Sequence, residues 1–243
     1  SMKAVVLAGG RGTRLAPYTN VLPKPLMPVG DMPIIEILLR QLKLYGITDV
    51  VIAVGYLASL LQAYIGDGSR FGLNVSYSME TTPLGTAGPL KLVKDLDDTF
   101  MIMNGDLLTS LNMGELIKFH QQQHAIATIA TILRTTQITL GVIGTDDDFN
   151  VNTYTEKPSY DFRVSMGISV LQPEALDYIP DNKPFDIPDL IKALIADKKL
   201  VKAYPFTDGY WLDIGRPDDY QKALDDIDHI KSQILPHSGD ADQ

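Results

Sequence analysis

The chain has 243 residues, 45% of them hydrophobic, no cysteine and a formal net charge of −9 at pH 7. The negative charge disfavours nucleic acid and anionic membrane surfaces as partners. We also expect no membrane insertion, since no apolar run reaches about 18 residues. The lack of cysteine excludes disulfides and thiolate metal sites and favours a cytoplasmic protein. Size and even composition predict one domain over residues 1–235, followed by a short polar tail over residues 236–243.

The first half of the sequence alternates apolar runs with amphipathic stretches. Asp31 is the predicted N-cap of the first helix, with Pro33 as an early helical proline and Gly46 after its end. Such an alternation predicts parallel strands joined by right-handed crossovers. The predicted strands are Lys3–Ala8, Asp49–Val54, Leu73–Tyr77 and Phe100–Met103, and the predicted helices are Ile34–Leu42, Leu57–Ile65 and Thr86–Leu96.

The second half has more strands and fewer helices, which predicts a mixed or antiparallel extension of the sheet. The predicted strands there are Ala125–Leu133, Gly141–Gly144 and Val164–Leu171, and the predicted helices are Ile187–Ala196 and Asp218–Ile230. The fold class is therefore α/β: a single-domain, Rossmann-like, mostly parallel sheet flanked by helices, with a mixed or antiparallel extension.

A glycine-rich turn with basic residues follows the first strand. Its sequence is Gly9-Gly10-Arg11-Gly12-Thr13-Arg14-Leu15, and Pro23-Lys24-Pro25 comes shortly after it. Backbone N–H groups and fixed cations are what a polyphosphate requires. The dinucleotide-binding pattern GxGxxG is disfavoured, because Leu15 stands where its third glycine is needed. A P-loop is also disfavoured, because the pattern GxxxxGK[ST] does not occur in the sequence. A turn that merely connects two elements would explain the glycines but not the cations.

These two segments together resemble the signature of the sugar-1-phosphate nucleotidylyltransferases, also called nucleoside-diphosphate-sugar pyrophosphorylases. Further family segments occur in the same order and approximate spacing, at Pro83–Gly88, Asn104–Asp106, Glu156–Pro158 and Tyr210–Gly215. The stretch over residues 82–90 is most similar to bacterial members that resemble mannose-1-phosphate guanylyltransferases. The resemblance implies a GT-A-like nucleotidyltransferase fold whose extension binds the sugar. It also implies attack of a sugar 1-phosphate on an NTP, giving pyrophosphate and an NDP-sugar for surface glycans.

By this resemblance, the catalytic residues are Arg14, Lys24 and Asp106. Arg14 is assigned to the triphosphate and the departing pyrophosphate, and Lys24 to the phosphates at the reacting centre. Asp106 and Asp213 are the expected ligands of Mg²⁺, because carboxylate oxygens suit a hard cation. The alternative is that Arg14 and Lys24 are solvated surface charges and that Asp106 is a turn residue after Gly105.

The resemblance also assigns a set of residues to the nucleotide. Among them, Glu80 faces the base edge; a carboxylate only accepts hydrogen bonds, so it suits the N1–H and N2–H₂ donors of guanine, and in part the N3–H of uracil or thymine. GTP is therefore the favoured nucleotide. The predicted nucleotide-binding residues are Leu7, Ala8, Gly9, Gly10, Gly12, Thr13, Arg14, Lys24, Glu80, Pro83, Gly85, Thr86, Asn104 and Gly105.

The residues assigned to the sugar phosphate are Gly141, Glu156, Lys157 and Gly167. A surface ion pair between Glu156 and Lys157, and simple β-bulges at the glycines, are the alternatives. Ser165-Met166-Gly167 replaces the Asn-Ala-Gly common in the family, which leaves mannose, manno-heptose and glucosamine 1-phosphates open.

Two other functions and the oligomeric state also stay open. One is uridylyl or thymidylyl transfer to a glucose-type or amino-sugar 1-phosphate. The other is a catalytically silent sugar-nucleotide sensor or regulatory subunit. A homo-oligomer is compatible with the sequence.

Overall fold

The computed structural model describes residues 2–236, so the predicted tail lies outside the described residues except for Pro236. Among the helices of these residues, none combines the length and the hydrophobicity that a membrane-spanning helix requires. The helices are α1 (Ile34–Leu44), α2 (Ala58–Ile65), α3 (Met113–Gln123), α4 (Ile187–Ala196) and α5 (Pro217–Ile234). The strands are β1 (Lys3–Ala8), β2 (Pro28–Val29), β3 (Met32–Pro33), β4 (Asp49–Val54), β5 (Asn74–Met79), β6 (Phe100–Asn104), β7 (Leu107–Thr109), β8 (Ala127–Gln137), β9 (Gly141–Thr145), β10 (Val151–Glu156), β11 (Ser159–Leu171), β12 (Val201–Pro205) and β13 (Trp211–Asp213).

A central sheet has the strand order β12-β8-β11-β6-β1-β4-β5. Strands β6, β1, β4 and β5 run parallel, whereas β11 is antiparallel to both β6 and β8. The predicted α/β class, with a parallel half and an antiparallel extension, is confirmed. The predicted strand at Gly141–Gly144 does form, but it pairs with β10 in a separate two-stranded ribbon.

Helices cover both faces of the parallel half. Alternate side chains of β1 enter different apolar clusters: Val6 packs in one with Leu38 of α1, and Val5 packs in another with Leu190 of α4. These side chains are fully buried. Because a strand presents successive side chains to opposite faces, a continuous apolar run marks a strand buried on both sides.

The carboxyl ends of β1, β4 and β6 meet at one edge of the sheet. The N–H of Gly105, directly after β6, donates to the carbonyl of Leu7 in β1 at 2.9 Å. A Cβ placed on Gly55, directly after β4, would lie 3.0 Å from the carbonyl oxygen of Gly9. Three chain segments therefore converge where open α/β sheets place their ligands.

The predicted helix over Thr86–Leu96 is wrong. Only a short 3₁₀ turn forms there, over Gly88–Leu92. Pro89 has no N–H, and the N–H groups of Ala87 and Gly88 both donate to the carbonyl of Phe185, at 2.8 and 2.9 Å. Tertiary hydrogen bonds thus replace those that an α-helix would need.

The predicted N-cap at Asp31 is also wrong. Met32–Pro33 pairs with Pro28–Val29 in a short antiparallel hairpin, and α1 begins at Ile34, whose N–H donates to the carbonyl of Met27 at 3.1 Å. Asp31 instead accepts from the Lys231 ammonium at 3.4 Å. Its side chain thus contacts α5 rather than the start of α1.

A buried histidine joins α3 to the sheet. His120 is 2% exposed; its Nδ1 lies 2.7 Å from Thr128 Oγ1 and its Nε2 lies 2.9 Å from Gln172 Oε1. Burial lowers the pKa of His120. The folded protein therefore holds this imidazole neutral at a pH where the unfolded chain protonates it.

We expect the free energy of unfolding to fall as the pH drops below about 6.5, because there the unfolded chain binds the proton more readily than the folded protein. Urea unfolding at pH 5 to 8 measures this dependence. The His120→Gln variant should have a shallower slope than the wild type, and His124→Gln, at an exposed histidine of the same segment, should keep the wild-type slope. If the free energy of unfolding had the same pH dependence in the wild type and in His120→Gln, His120 would not be the source of that dependence.

Candidate active site

A cleft of about 880 Å³ opens at the carboxyl ends of β1, β4 and β6. Every residue predicted to bind the nucleotide lines it, and so do both predicted metal ligands, Asp106 and Asp213. Residues as far apart in the sequence as Gly9 and Asp213 therefore border one cavity. Their individual roles stay predictions.

The glycine-rich turn has a backbone that requires Gly12. This residue has a φ of 63°, and a Cβ placed on it would lie 2.9 Å from Thr19 Cγ2 and 3.2 Å from Lys24 Cβ. A side chain there would be strained by the backbone angle and crowded by both neighbours. The absence of a side chain at Gly12 lets the turn lie directly against Lys24.

Lys24 forms an ion pair with Asp106 inside the cleft. Lys24 Nζ lies 2.5 Å from Asp106 Oδ2, and the two side chains are only 20% and 18% exposed. Lys24 opens a short 3₁₀ turn, and the extended backbone of Pro23 leads into it. The flanking prolines restrict the backbone that aims this ammonium.

The two predicted metal ligands are neighbours. Strand β13 pairs with β7 so that Asp213 lies opposite Leu107, and the N–H of Ile214 donates to the carbonyl of Asp106 at 3.1 Å. Burial, and then the charge of Asp106, raise the pKa of Asp213 to about 6, while Lys24 opposes the shift. The negative charge of Asp213 is thus unfavourable even with Lys24 nearby, and a divalent cation between or beside the two carboxylates would offset it.

This carboxylate pair fits a hard cation. Two adjacent oxygen donors suit Mg²⁺, which commonly takes one or two carboxylates and completes its octahedron with phosphate oxygens and water. Between residues 2 and 236 no group of three or more acidic or histidine side chains gathers as a metal site. The remaining ligands would therefore have to come from substrate and solvent.

We expect the Asp213→Asn variant to be more stable than the wild type at pH 8 without divalent cations. Because the pKa of Asp213 is raised, its protonated form stabilises the fold, and that contribution is lost as the pH rises through about 6. Although desolvation raises the pKa of Asp213, the residue keeps considerable contact with solvent, and screening limits the gain to about 1 kcal/mol, or about 2–4 °C in Tm.

Differential scanning fluorimetry measures the change. Asp147→Asn, at an exposed carboxylate outside the cleft, should leave Tm within about 1 °C. A lower Tm for Asp213→Asn than for the wild type would contradict the unfavourable pairing.

Glu80 also lines the cleft. Its Oε2 accepts from the N–H of Leu84 at 3.1 Å, and its Oε1 would lie 3.2 Å from a Cβ placed on Gly9. The loop that follows Glu80 is anchored near α4: the N–H of Thr86 donates at 3.0 Å to Oδ1 of Asp186, the residue directly before α4. The carboxylate therefore stands in a fixed position beside the glycine turn.

The residues assigned to the sugar phosphate are not part of the cleft lining. Gly141 and Glu156 lie opposite each other in the β9–β10 ribbon, and Lys157 follows with a φ of 42°. Gly167, with a φ of 76°, lies where the pairing of β11 with β8 is interrupted, and a Cβ there would be 2.6 Å from Asn104 Nδ2. Gly167 thus adjoins the cleft through Asn104, whereas the other three residues belong to the ribbon.

Sequence reasoning missed several residues that line the cleft. Gly55 and Tyr56 follow β4, and Ser78 lies near the end of β5. Their position directly after or within the ends of predicted parallel strands is a signal that could have identified them.

Comparison with known proteins agrees with the geometry. Residues 3–229 match the family model described as Nucleotidyl transferase. The UTP–glucose-1-phosphate uridylyltransferase of Synechocystis sp. is 34% identical, in an alignment that covers 92% of this chain and 62% of the relative. The mannose-1-phosphate guanylyltransferase of Mycobacterium tuberculosis is also 34% identical, with 92% and 64% covered. The chain thus spans less than two-thirds of either relative.

A solved structure from Bacillus anthracis shares the fold. It is described as a candidate glucose-1-phosphate thymidylyltransferase in complex with a sucrose, and it is 26% identical to this chain, with a TM-score of 0.75. The superposition covers 93% of this chain and 94% of that one. The chain therefore belongs to the nucleotidyl transferase family.

Proposed function

We propose that this protein transfers GMP from GTP to a sugar 1-phosphate, releasing pyrophosphate and an NDP-sugar for surface-glycan biosynthesis. The observation that carries the proposal is the contact of Lys24 with Asp106, which adjoins Asp213 in the cleft bordered by the glycine turn. An ammonium and a carboxylate pair at one point are suited to a reaction that brings two phosphates together.

The proposed reaction is an in-line displacement at phosphorus. An oxygen of the sugar 1-phosphate forms a bond to the α-phosphorus of the NTP as the bond from that phosphorus to the pyrophosphate oxygen breaks. No covalent enzyme intermediate is required, so positioning and electrostatic stabilisation supply most of the acceleration. Lys24 would stabilise charge at the reacting phosphates, and Arg14, exposed at the same cleft, would bind the triphosphate and departing pyrophosphate.

Asp106 and Asp213 would hold Mg²⁺, which when bound would neutralise phosphate charge near the reacting centre. Lys24, in contact with Asp106, would add a second positive charge beside the reacting phosphates. The orientation of Asp213 follows from its pairing in β13 with β7.

Glu80 supports the choice of guanine. Its carboxylate has one oxygen bonded to the N–H of Leu84 and the other beside Gly9, so a base edge that presents two donors would be matched. The named relatives include both a uridylyltransferase and a guanylyltransferase. For the sugar, we propose mannose, manno-heptose or glucosamine 1-phosphate, with Gly141, Glu156, Lys157 and Gly167 on the acceptor side.

A thermal-shift panel of GTP, UTP, dTTP, CTP and ATP with Mg²⁺ tests the nucleotide. We expect GTP to raise Tm most, by mass action on the folded state. In Glu80→Gln, GTP should lose its advantage over UTP, whereas Glu174→Gln, outside the cleft lining, should keep the wild-type order. A larger shift with UTP than with GTP in the wild type would overturn the base assignment.

The second candidate, a silent sensor or regulatory subunit, would bind the nucleotide without releasing pyrophosphate. The combination of Lys24, Asp106 and Asp213 at one point favours the enzyme, because a sensor does not require a cation site at the reacting phosphate.

A further inference from the structure

The phosphate-binding segment, residues 9–24, has little regular structure of its own. It contains 3₁₀ turns at Thr13–Leu15 and Tyr18–Asn20, and the side chains of Arg11 and Arg14 are exposed. The internal backbone hydrogen bonds of this segment are those of short turns, and a segment without longer regular structure opens readily unless other elements hold it. Its catalytic geometry must therefore depend on anchors from the core.

Thr19 is the buried anchor within the segment. It is 2% exposed, and its hydroxyl donates to the carbonyl of Gly12 at 2.7 Å. Gly12 lies close to Lys24, since a Cβ placed on Gly12 would be 3.2 Å from Lys24 Cβ. A displacement of Thr19 would thus move both the glycine turn and the backbone that carries Lys24.

Tyr56 connects Thr19 to the central sheet. It stands two residues after β4, and its hydroxyl donates to the carbonyl of Thr19 at 3.0 Å. The guanidinium carbon of Arg11 lies 5.6 Å from the centre of its ring, within the range of a cation–π contact. One side chain fixed to the sheet therefore contacts the segment at both Arg11 and Thr19.

We propose that Tyr56 is a positioning residue, which holds residues 9–24 in the arrangement that places Gly12 and Lys24 against the triphosphate. This inference rests on the proposed nucleotidyl transfer. Tyr56 acts through Thr19 and Gly12, so it controls the NTP side of the reaction and not the acceptor side. Small displacements of groups at a reacting phosphate have large kinetic effects.

The Tyr56→Phe variant removes the hydroxyl and keeps the ring. We expect it to lower kcat/KM for the NTP about tenfold, the scale of one lost hydrogen bond, and to leave KM for the sugar 1-phosphate unchanged. The matched control is Tyr77→Phe, because the Tyr77 hydroxyl also donates to a backbone carbonyl, that of Gly66, at 2.6 Å, but outside the cleft lining. Equal kinetic effects of the two variants, or an unchanged kcat/KM in Tyr56→Phe, would overturn the proposal.

Thr19 variants test whether Tyr56 acts through Thr19. Thr19→Ser keeps the hydroxyl and should retain kcat/KM for the NTP within about threefold, whereas Thr19→Val should lower it by about tenfold. Since both residues act on one contact chain, the Tyr56→Phe/Thr19→Val double variant should lose little more than the worse single variant. A loss equal to the product of the two single effects would show independent roles and contradict the proposal.

Hydrogen–deuterium exchange tests the anchoring without any turnover. Amide exchange over residues 9–24 should be several-fold faster in Tyr56→Phe than in the wild type, and unchanged in Tyr77→Phe. Unchanged exchange in Tyr56→Phe would overturn the anchoring even in an active enzyme. A wild type that releases no pyrophosphate would instead refute the proposed function, and the exchange result would still decide whether Tyr56 orders the segment.

Discussion

Lys24→Ala should lower kcat for pyrophosphate release at least about a hundredfold, the scale for losing a preorganised charge at a transition state. The ammonium lies 2.5 Å from Asp106 Oδ2, at the point where charge on the reacting phosphates would develop. Without it, the carboxylate pair would repel the incoming phosphates more strongly. The pKa of Asp213 should also rise further, because Lys24 lowers it in the wild type.

Steady-state pyrophosphate release at saturating substrates measures this effect. Lys91→Ala is the control, because Lys91 pairs with Asp181 at 3.6 Å outside the cleft lining, and exposed ion pairs contribute about 0–1 kcal/mol. Its kcat should match the wild type. Near-normal kcat in Lys24→Ala would exclude an electrostatic role for this residue.

Asp106→Asn should also lower kcat at least about a hundredfold, by removing a charged ligand oxygen from the proposed cation site. The Mg²⁺ concentration for half-maximal activity should rise. Since the charge of Asp106 raises the pKa of Asp213, the substitution should return that pKa toward its ordinary value. The loss of activity would then reflect the missing Asp106 carboxylate and not protonation of Asp213.

A Mg²⁺ titration of activity separates these contributions. Asp181→Asn, which removes the surface partner of Lys91, should leave both kcat and the Mg²⁺ dependence unchanged. If Asp106→Asn kept the wild-type Mg²⁺ dependence, Asp106 would not be a metal ligand.

Continuous apolar runs made the parallel strands predictable. Lys3–Ala8 and Asp49–Val54 form strands with the predicted bounds, because side chains buried on both faces leave a pattern that local sequence shows directly. Helix α3, at Met113–Gln123, was not predicted. It depends on the Asn112 side chain, which accepts from the N–H of Glu115 at 3.0 Å. It also depends on the buried His120, whose Nε2 lies 2.9 Å from Oε1 of Gln172, 52 residues away.

The convergence of the glycine-turn and acidic residues at one cleft was predictable for a similar reason. Glycines and acidic residues that follow parallel strands meet at one edge of the sheet, so Gly9, Gly105 and Asp106 line one cleft. The contact of Tyr56 was not predictable, because its partner is a backbone carbonyl 37 residues away in a short 3₁₀ turn. The proposed sugar side depends on the placement of the β9–β10 ribbon. The side chains of this ribbon are largely exposed, so burial leaves little pattern in its sequence.

The most direct test of nucleotidyl transfer is pyrophosphate release from a matrix of GTP, UTP, dTTP, CTP and ATP against mannose, manno-heptose, glucosamine and glucose 1-phosphates with Mg²⁺. We predict release with GTP and a sugar 1-phosphate together, and none when either is omitted. Nucleotide binding without pyrophosphate release from any combination would contradict nucleotidyl transfer and identify the protein as a sensor.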